Sequence, residues 1–252
     1  MQSDTQSENQ WKIEAVLMLG AGLMVSLSAG ALLTIGMREF LPAPNPSHQK
    51  FLNFIISSVS FQIVGLILTH FFLKEHVVTW AQFLGLNNPN LKRAVLIALA
   101  VFAVALPLTL GLNSLSAAVL THLSGPPEAQ PTMQVLEASV SLAQRICFGA
   151  AAILLAPVLE EILFRGVLYR TLQQRGYPKA ALFGSAVLFA AIHGSWVTLL
   201  PLTVLAIILA LLYDKADNLL APILVHSLFN AANFFLYLNQ AEIERWWKQL
   251  SF

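Results

Sequence analysis

Two adjacent glutamates and an arginine stand in the segment 157–166, PVLEEILFRG, where the surrounding chain is otherwise apolar. Residues 146–159, which lead up to the glutamates, carry no charge. One ionisable side chain at bilayer depth costs about 2.5 to 3.5 kcal/mol, so three together require partners or a hydrated cavity. Glu160, Glu161 and Arg165 therefore mark a candidate site for proton-transfer chemistry.

The spacing of these three charges predicts different surroundings for the two acids. Glu161 and Arg165 are four residues apart with the acid first, an arrangement that pairs them along one helix face. Glu160 points about 100 degrees away and has no counter-ion on its own helix. An unpaired carboxylate is the better candidate for a proton acceptor. The alternative is that both acids only hold helices together through polar contacts.

Two later apolar segments also carry polar residues at helical spacing. Phe189 and His193 are four residues apart, and so are His226 and Asn230. A lone histidine in a helix is usually a hydrogen-bonded core residue, but two such pairs on separate segments favour a functional role. At a rise of about 1.5 Å per residue, Glu160 lies about 15 Å from Arg170, His193 about 21 Å from Lys179, and His226 about 16 Å from Lys215. We therefore expect these side chains to meet at a similar depth.

The composition of the whole chain predicts how these segments are held. Of its 252 residues, 57% are hydrophobic and 11% are charged, whereas about 25% of residues in a soluble domain are charged. We expect an all-α, polytopic transmembrane helix bundle with about seven or eight spans. The apolar runs are 13–37, 51–73, 94–120, 146–169, 180–193, 197–213 and 219–238. The balance of 14 basic against 13 acidic residues gives no reason to expect nucleic acid as a partner, and membrane lipid is the expected one.

Charges between the apolar runs predict an orientation. Residues 74–93 hold three basic residues against one acid, residues 165–179 hold the densest basic cluster, and residues 121–144 hold acids only. Because cytoplasmic loops are enriched in Lys and Arg, we expect the two basic segments and the N-terminus in the cytoplasm. A hydrated cavity that reaches Glu160 from the cytoplasmic face would favour an enzyme.

The connecting and terminal segments have simpler interpretations. Residues 1–12 form a polar tail without the features of a signal peptide, and the prolines in 38–50 predict a loop. The small residues Gly22, Ser26 and Gly30 predict close helix packing. Residues 241–252 form an interfacial tail, because two tryptophans, 246 and 247, stand beside basic residues.

The three polar motifs together resemble a known family. Glu160-Glu161-x-x-x-Arg165, Phe189-x-x-x-His193 and His226-x-x-x-Asn230, in this order and on separate apolar segments, are similar to the motifs of the CPBP family. This family comprises CAAX prenyl endoproteases and bacteriocin-processing intramembrane proteases, and is also called the Abi family. The resemblance runs from about residue 156 to 233. It divides the chain into motif-free transmembrane helices at 13–145 and a catalytic core at 146–240.

The resemblance implies hydrolysis of a peptide bond in a membrane-associated or lipidated peptide or protein. Glu160 would activate a water that His193 orients, and His226 with Asn230 would stabilise the oxyanion. Glu161 and Arg165 would hold the acid-bearing helix. The protein is expected in the bacterial cell membrane if its source is a bacterium.

Two alternatives stay open. Glu160, His193 and His226 also make an acceptable zinc ligand set, although a metal-independent glutamate mechanism without a cofactor is favoured because no His-Glu-x-x-His stands on one helix. The alternative from another class is a non-enzymatic membrane scaffold or transporter that uses the polar cluster for packing or proton relay. A serine or aspartyl protease is disfavoured, because there is no Gly-x-Ser-x-Gly motif and no aspartate within a predicted span.

Overall fold

The computed structural model describes residues 10–40, 45–125, 131–139 and 141–250, and within these ranges the chain is helical, with no strand. The prediction of an all-α polytopic bundle is confirmed. The helices within these ranges are α1 (Ile13–Phe40), α2 (Pro46–Glu75), α3 (Trp80–Leu84), α4 (Leu91–Ser124), α5 (Pro131–Ala138), α6 (Leu142–Gln174), α7 (Ala180–Ala191), α8 (Trp196–Ala216), α9 (Leu220–Leu238) and α10 (Gln240–Leu250).

The predicted count of seven or eight spans is not confirmed. Within the described ranges, six helices are long and apolar enough to cross a membrane, namely α1, α2, α4, α6, α8 and α9. The predicted run at 180–193 corresponds to α7, whose 12 residues extend for about 18 Å, against a hydrocarbon thickness of about 30 Å. Gly194, at φ 65°, follows this helix and turns the chain back, so α7 packs along α8.

Two predicted loops are shorter than the sequence suggested. The helix α2 begins at Pro46, with Asn45 as its N-cap. Proline is favourable at the first helical position, because the N–H that it lacks would have no partner within the helix. The helix α1 continues to Phe40, while residues 41–44 lie outside the described part. The predicted loop at 121–144 likewise contains the end of α4 and the whole of α5.

The start of α1 is fixed to the far end of α6. The Trp11 indole is buried, its Nε1 donates to the Gly166 carbonyl at 2.9 Å, and the Arg170 guanidinium lies 4.9 Å from its ring. The predicted polar tail thus includes one residue, Trp11, that the structure buries, because a large apolar ring gains more from burial than from solvent, while Lys12 is exposed. Residues 1–9 lie outside the described ranges.

Several helix ends lie together on one side of the bundle, and we call this side the basic face. It is defined by Trp11, the segment 74–93, the end of α6 near Arg170, and the turn 214–218. Cross-links hold it together: the Asn218 amide donates to the Gly85 carbonyl at 2.7 Å, and the Tyr169 hydroxyl donates to Asp214 at 2.5 Å.

The small residues of α1 pack against α2, as predicted. A Cβ on Gly22 would lie 3.0 Å from the Leu68 side chain, and one on Gly30 would lie 2.5 Å from the Ser60 hydroxyl. Between them, the Ser26 hydroxyl donates a short hydrogen bond to the Ser60 carbonyl. Small side chains therefore allow the two backbones to approach closely.

The C-terminal segment forms a helix at the opposite side of the bundle. Residues of α10 are mostly polar, and Trp246 is exposed near Arg245 and Lys248. The side chain of Trp247 is outside the described part. An interfacial location for this helix stays a prediction.

Candidate active site

The two glutamates lie in an unusual part of α6. A short α-helical stretch, Ala156–Glu161, is flanked by the π-helical segments Ala151–Leu155 and Ile162–Tyr169. π-helical turns are rare and are found frequently at functional sites. They widen the helix on both sides of the acids and change which carbonyl groups can accept bonds from neighbouring helices.

Glu161 and Arg165 form the predicted ion pair. Arg165 Nη1 donates to Glu161 Oε1 at 2.8 Å, and both side chains are almost completely buried. Arg165 Nη2 donates to the carbonyl of Ala206 at 2.9 Å, and the guanidinium lies 4.9 Å from the Phe189 ring centroid. Arg165 therefore connects α6 to α8 and α7, because a planar guanidinium can donate in several directions at once.

His226 of α9 joins this pair. Its Nδ1 lies 2.8 Å from Glu161 Oε1, which also accepts the bond from Arg165. A carboxylate only accepts hydrogen bonds, so Nδ1 carries the hydrogen. The other ring nitrogen, Nε2, is then directed towards Glu160 and lies 3.7 Å from its Oε2. Sequence spacing did not reveal that Glu161 orients His226, because the two residues are 65 positions apart.

The two acids differ in exposure. The side chain of Glu160 is 16% exposed, whereas that of Glu161 is 0% exposed. Glu160 lines a cavity, and Glu161 faces Arg165 and His226. Glu161 is therefore paired with Arg165 at 2.8 Å, whereas the contact of Glu160 is the longer one to His226 Nε2, at 3.7 Å.

His193 follows the end of α7 and lines the same cavity. Its Nδ1 lies 2.7 Å from the Phe189 carbonyl. Because a carbonyl only accepts, Nδ1 carries the hydrogen, and Nε2 of the neutral ring remains an acceptor. The Phe189 ring is buried between the two histidines, with centroid distances of 4.8 Å to His193 and 5.6 Å to His226.

Asn230 lies one turn beyond His226 on α9 and also lines the cavity. Its Nδ2 donates to the Ala152 carbonyl at 2.8 Å. Ala152 belongs to the first π-helical segment of α6, so this irregular turn supplies the acceptor that fixes the Asn230 amide. The second hydrogen of the amide group is left for another acceptor.

The cavity has a volume of about 790 Å³, within the usual range of about 300 to 1,000 Å³ for ligand pockets. Besides the site residues it is lined by Phe148 near the start of α6, Tyr237 at the end of α9 and Ile243 of α10. These residues lie towards the side opposite the basic face. The expectation of a cavity that reaches Glu160 from the basic side is therefore not met: the observed cavity extends the other way.

The motif-free helices contribute to the cavity wall. Gln62 of α2 and Thr109, Asn113 and Ser114 of α4 all line it. Sequence analysis did not single out these residues. In the sequence, each of them is a polar side chain within an apolar run. This is a weaker indication of a functional role than a charge, because Thr and Ser often bond to their own helix.

The described residues contain no group of three or more His, Cys, Asp or Glu side chains arranged to hold a metal ion. In particular, Nδ1 of His226 is engaged by Glu161 and Nδ1 of His193 by a backbone carbonyl. Each histidine has only its Nε2 available to a ligand. Zinc-binding histidines show the same arrangement, so zinc held by Glu160, His193 and His226 stays an alternative.

The fold and the site define a multi-pass helical membrane protein with a glutamate and histidine site inside the bundle. Residues 142–232 match the family described as Rce1-like, the type II CAAX prenyl endopeptidases. The family resemblance is confirmed over this segment. No solved structure gives a significant match.

One curated relative adds to this comparison. The UPF0177 protein YxdF of Lactococcus lactis subsp. lactis (strain IL1403) is 35% identical over 79 residues. The similarity covers 31% of this chain and 42% of the relative. The matched segment is therefore less than half of either protein.

Proposed function

We propose that this protein is an intramembrane endopeptidase that hydrolyses a peptide bond in a membrane-associated peptide or protein. The observation that carries the proposal is that Glu160, His193 and His226, from three separate helical segments, line one cavity inside the bundle. The match of residues 142–232 to the CAAX prenyl endopeptidases supports the same reaction class.

Glu160 acts as the general base in this proposal. Its carboxylate takes a proton from a water in the cavity, while Nε2 of His193 accepts the second hydrogen of that water. With both hydrogens directed at acceptors, a lone pair of the oxygen is free to attack the substrate carbonyl. The proton held by Glu160 then passes to the departing nitrogen as the C–N bond breaks.

His226 and Asn230 stabilise the oxyanion that forms during attack. Asn230 donates through the amide hydrogen that Ala152 does not use, and His226 donates through Nε2 when both its ring nitrogens carry hydrogen. Preorganised donors of this kind are worth about a hundredfold to a thousandfold in rate each. Glu161 and Arg165 act as positioning residues, because they hold the His226 ring through Nδ1.

The orientation in the membrane belongs to the same proposal. The basic face lies in the cytoplasm, together with the N-terminus, because Lys and Arg are concentrated there. The reaction is metal-independent, and zinc held by Glu160, His193 and His226 is the competing mechanism. A scaffold or proton-relay function is the competing class.

The decisive experiment compares peptide termini in membranes and secreted fractions of cells carrying wild type or Glu160→Gln. We expect at least one cleavage product to disappear in Glu160→Gln, because an amide cannot accept the proton from water. Glu75→Gln, a matched change of an exposed glutamate on the basic face, should keep the product. A scaffold or transporter would give identical peptide termini in all three.

The same assay on purified protein separates the two mechanisms. We expect activity to survive exhaustive chelation, since no step of the proposed mechanism uses a metal ion. Activity that is lost on chelation and restored only by added zinc would establish the zinc mechanism instead.

A further inference from the structure

Gln62 is an unusual residue within α2. It is 7% exposed, it lines the cavity, and its Oε1 is buried without a hydrogen-bond partner among the described residues. A buried acceptor left without a donor is unfavourable, because it has lost its bond to water and gained none. In a native protein such an atom calls for an explanation, for example a functional role.

The packing of α2 places Gln62 near the level of the catalytic glutamate. Gly65 lies three residues further along α2, and a Cβ there would be 2.7 Å from the Leu159 side chain. Leu159 precedes Glu160 directly. Because residues three apart share a helix face, the face of α2 that carries Gln62 is the one that contacts α6 beside Glu160.

The backbone around Gln62 is held by α1 in an irregular conformation. Gln62 belongs to the π-helical segment Val59–Ile63. The Ser26 hydroxyl donates to the Ser60 carbonyl within this segment, and Gly30 allows the close approach. The position of Gln62 is thus set by the packing of α1 against α2. Its side-chain oxygen has no hydrogen-bond partner among the described residues.

Other polar residues of the cavity make hydrogen bonds within the protein. The Thr109 hydroxyl and the amides of Asn230 and Asn233 each donate to a backbone carbonyl of the protein. Gln62 differs because its side-chain oxygen is buried as well as without a partner among the described residues. The terminal torsion of glutamine is broad, so its amide can turn towards a ligand at little cost.

We propose that Gln62 binds the backbone of the substrate peptide beside the scissile bond. Its Oε1 accepts a hydrogen bond from a substrate N–H, and its Nε2 donates to a substrate carbonyl. An extended peptide presents both groups, and a lipid acyl chain presents neither. The inference rests on the proposed endopeptidase function and assigns part of the substrate site to the first, motif-free half of the chain.

The test uses the peptide whose cleavage is lost in Glu160→Gln. For Gln62→Leu we expect KM to rise about tenfold or more, because both hydrogen bonds to the substrate backbone are lost, while kcat changes little. The thermal midpoint should stay equal or rise, because leucine removes an unsatisfied acceptor. Thr69→Val, on the same helix and bonded only within it, should leave KM unchanged.

A substrate in which one backbone N–H near the cleavage site is replaced by an ester oxygen provides the second measurement. The ester replacement that raises the KM of wild type should not raise the KM of Gln62→Leu any further. Equal sensitivity in both proteins, an unchanged or lowered KM in Gln62→Leu, or a lowered thermal midpoint would each overturn the inference. If Glu160→Gln loses no cleavage, the proposed function fails first, and the inference fails with it.

Discussion

At the residue scale, the two adjacent acids have different contacts. The Oε1 atom of Glu161 accepts bonds from Arg165 and His226, while its Oε2 is buried without a partner among the described residues. Glu160 faces the cavity and remains available to a ligand. Two identical side chains, one position apart, acquire different surroundings because a helix turns by about 100 degrees per residue.

Replacing Arg165 tests the buried network. Arg165→Met leaves Glu161 buried without its cation and the Ala206 carbonyl without its donor, so we expect a loss of about 3 to 5 kcal/mol of stability. The measurement is the unfolding midpoint of the purified protein. Lys12→Met, which removes the exposed ion pair with Glu75, should cost at most about 1 kcal/mol. Similar effects of both changes would contradict the structural importance of the buried pair.

At the element scale, α6 and α8 form the centre of the bundle. In each of these helices, 39% of an apolar stretch of 18 residues is buried, against 11% in α2. The helix α6 also approaches α3 closely through Gly166, where a Cβ would lie 2.5 Å from the ring of Phe83. Glycine at position 166, directly after the first motif, is therefore explained by packing at the basic face.

We expect Gly166→Ala to lower the unfolding midpoint, because the Phe83 ring is buried and has little space to move. Overpacking of a core typically costs about 1 to 3 kcal/mol. Gly184→Ala is the matched control, since nothing lies within 4 Å of a Cβ at that position. The double variant Gly166→Ala with Phe83→Leu should recover part of the loss. No change in Gly166→Ala would show that the contact does not limit packing.

At the scale of the whole molecule, the cavity opens away from the side on which basic residues are concentrated. The cavity extends from Glu160 towards the start of α6 and the end of α9, away from the basic face. If the basic face is cytoplasmic, as the positive-inside rule predicts, the substrate reaches Glu160 from the outer side of the membrane. A cytoplasmic substrate would require the opposite orientation.

Cysteine labelling in intact cells tests this orientation. In a Cys147→Ser background, Leu142→Cys at the start of α6 should react with a membrane-impermeant maleimide from outside. Lys215→Cys, on the basic face, should react only after the cells are permeabilised. Both positions are exposed, so access to the reagent is comparable. The reverse pattern would place the mouth of the cavity in the cytoplasm.

The sequence by itself determined the features that depend on composition and on spacing along one helix. The apolar runs specified a membrane bundle, and a separation of four residues specified the pairing of Glu161 with Arg165. These interactions are local, and helix geometry fixes them wherever the helix is placed.

Only the tertiary structure decided how the helices meet. The bonds from His226 to Glu161 and from Arg165 to the Ala206 carbonyl join residues 65 and 41 positions apart. The short α7, the burial of Trp11, the cavity direction and the contribution of Gln62 also depend on packing between distant segments. Such contacts arise from the shapes of several helices at once, and for that reason no spacing within a single segment could specify them.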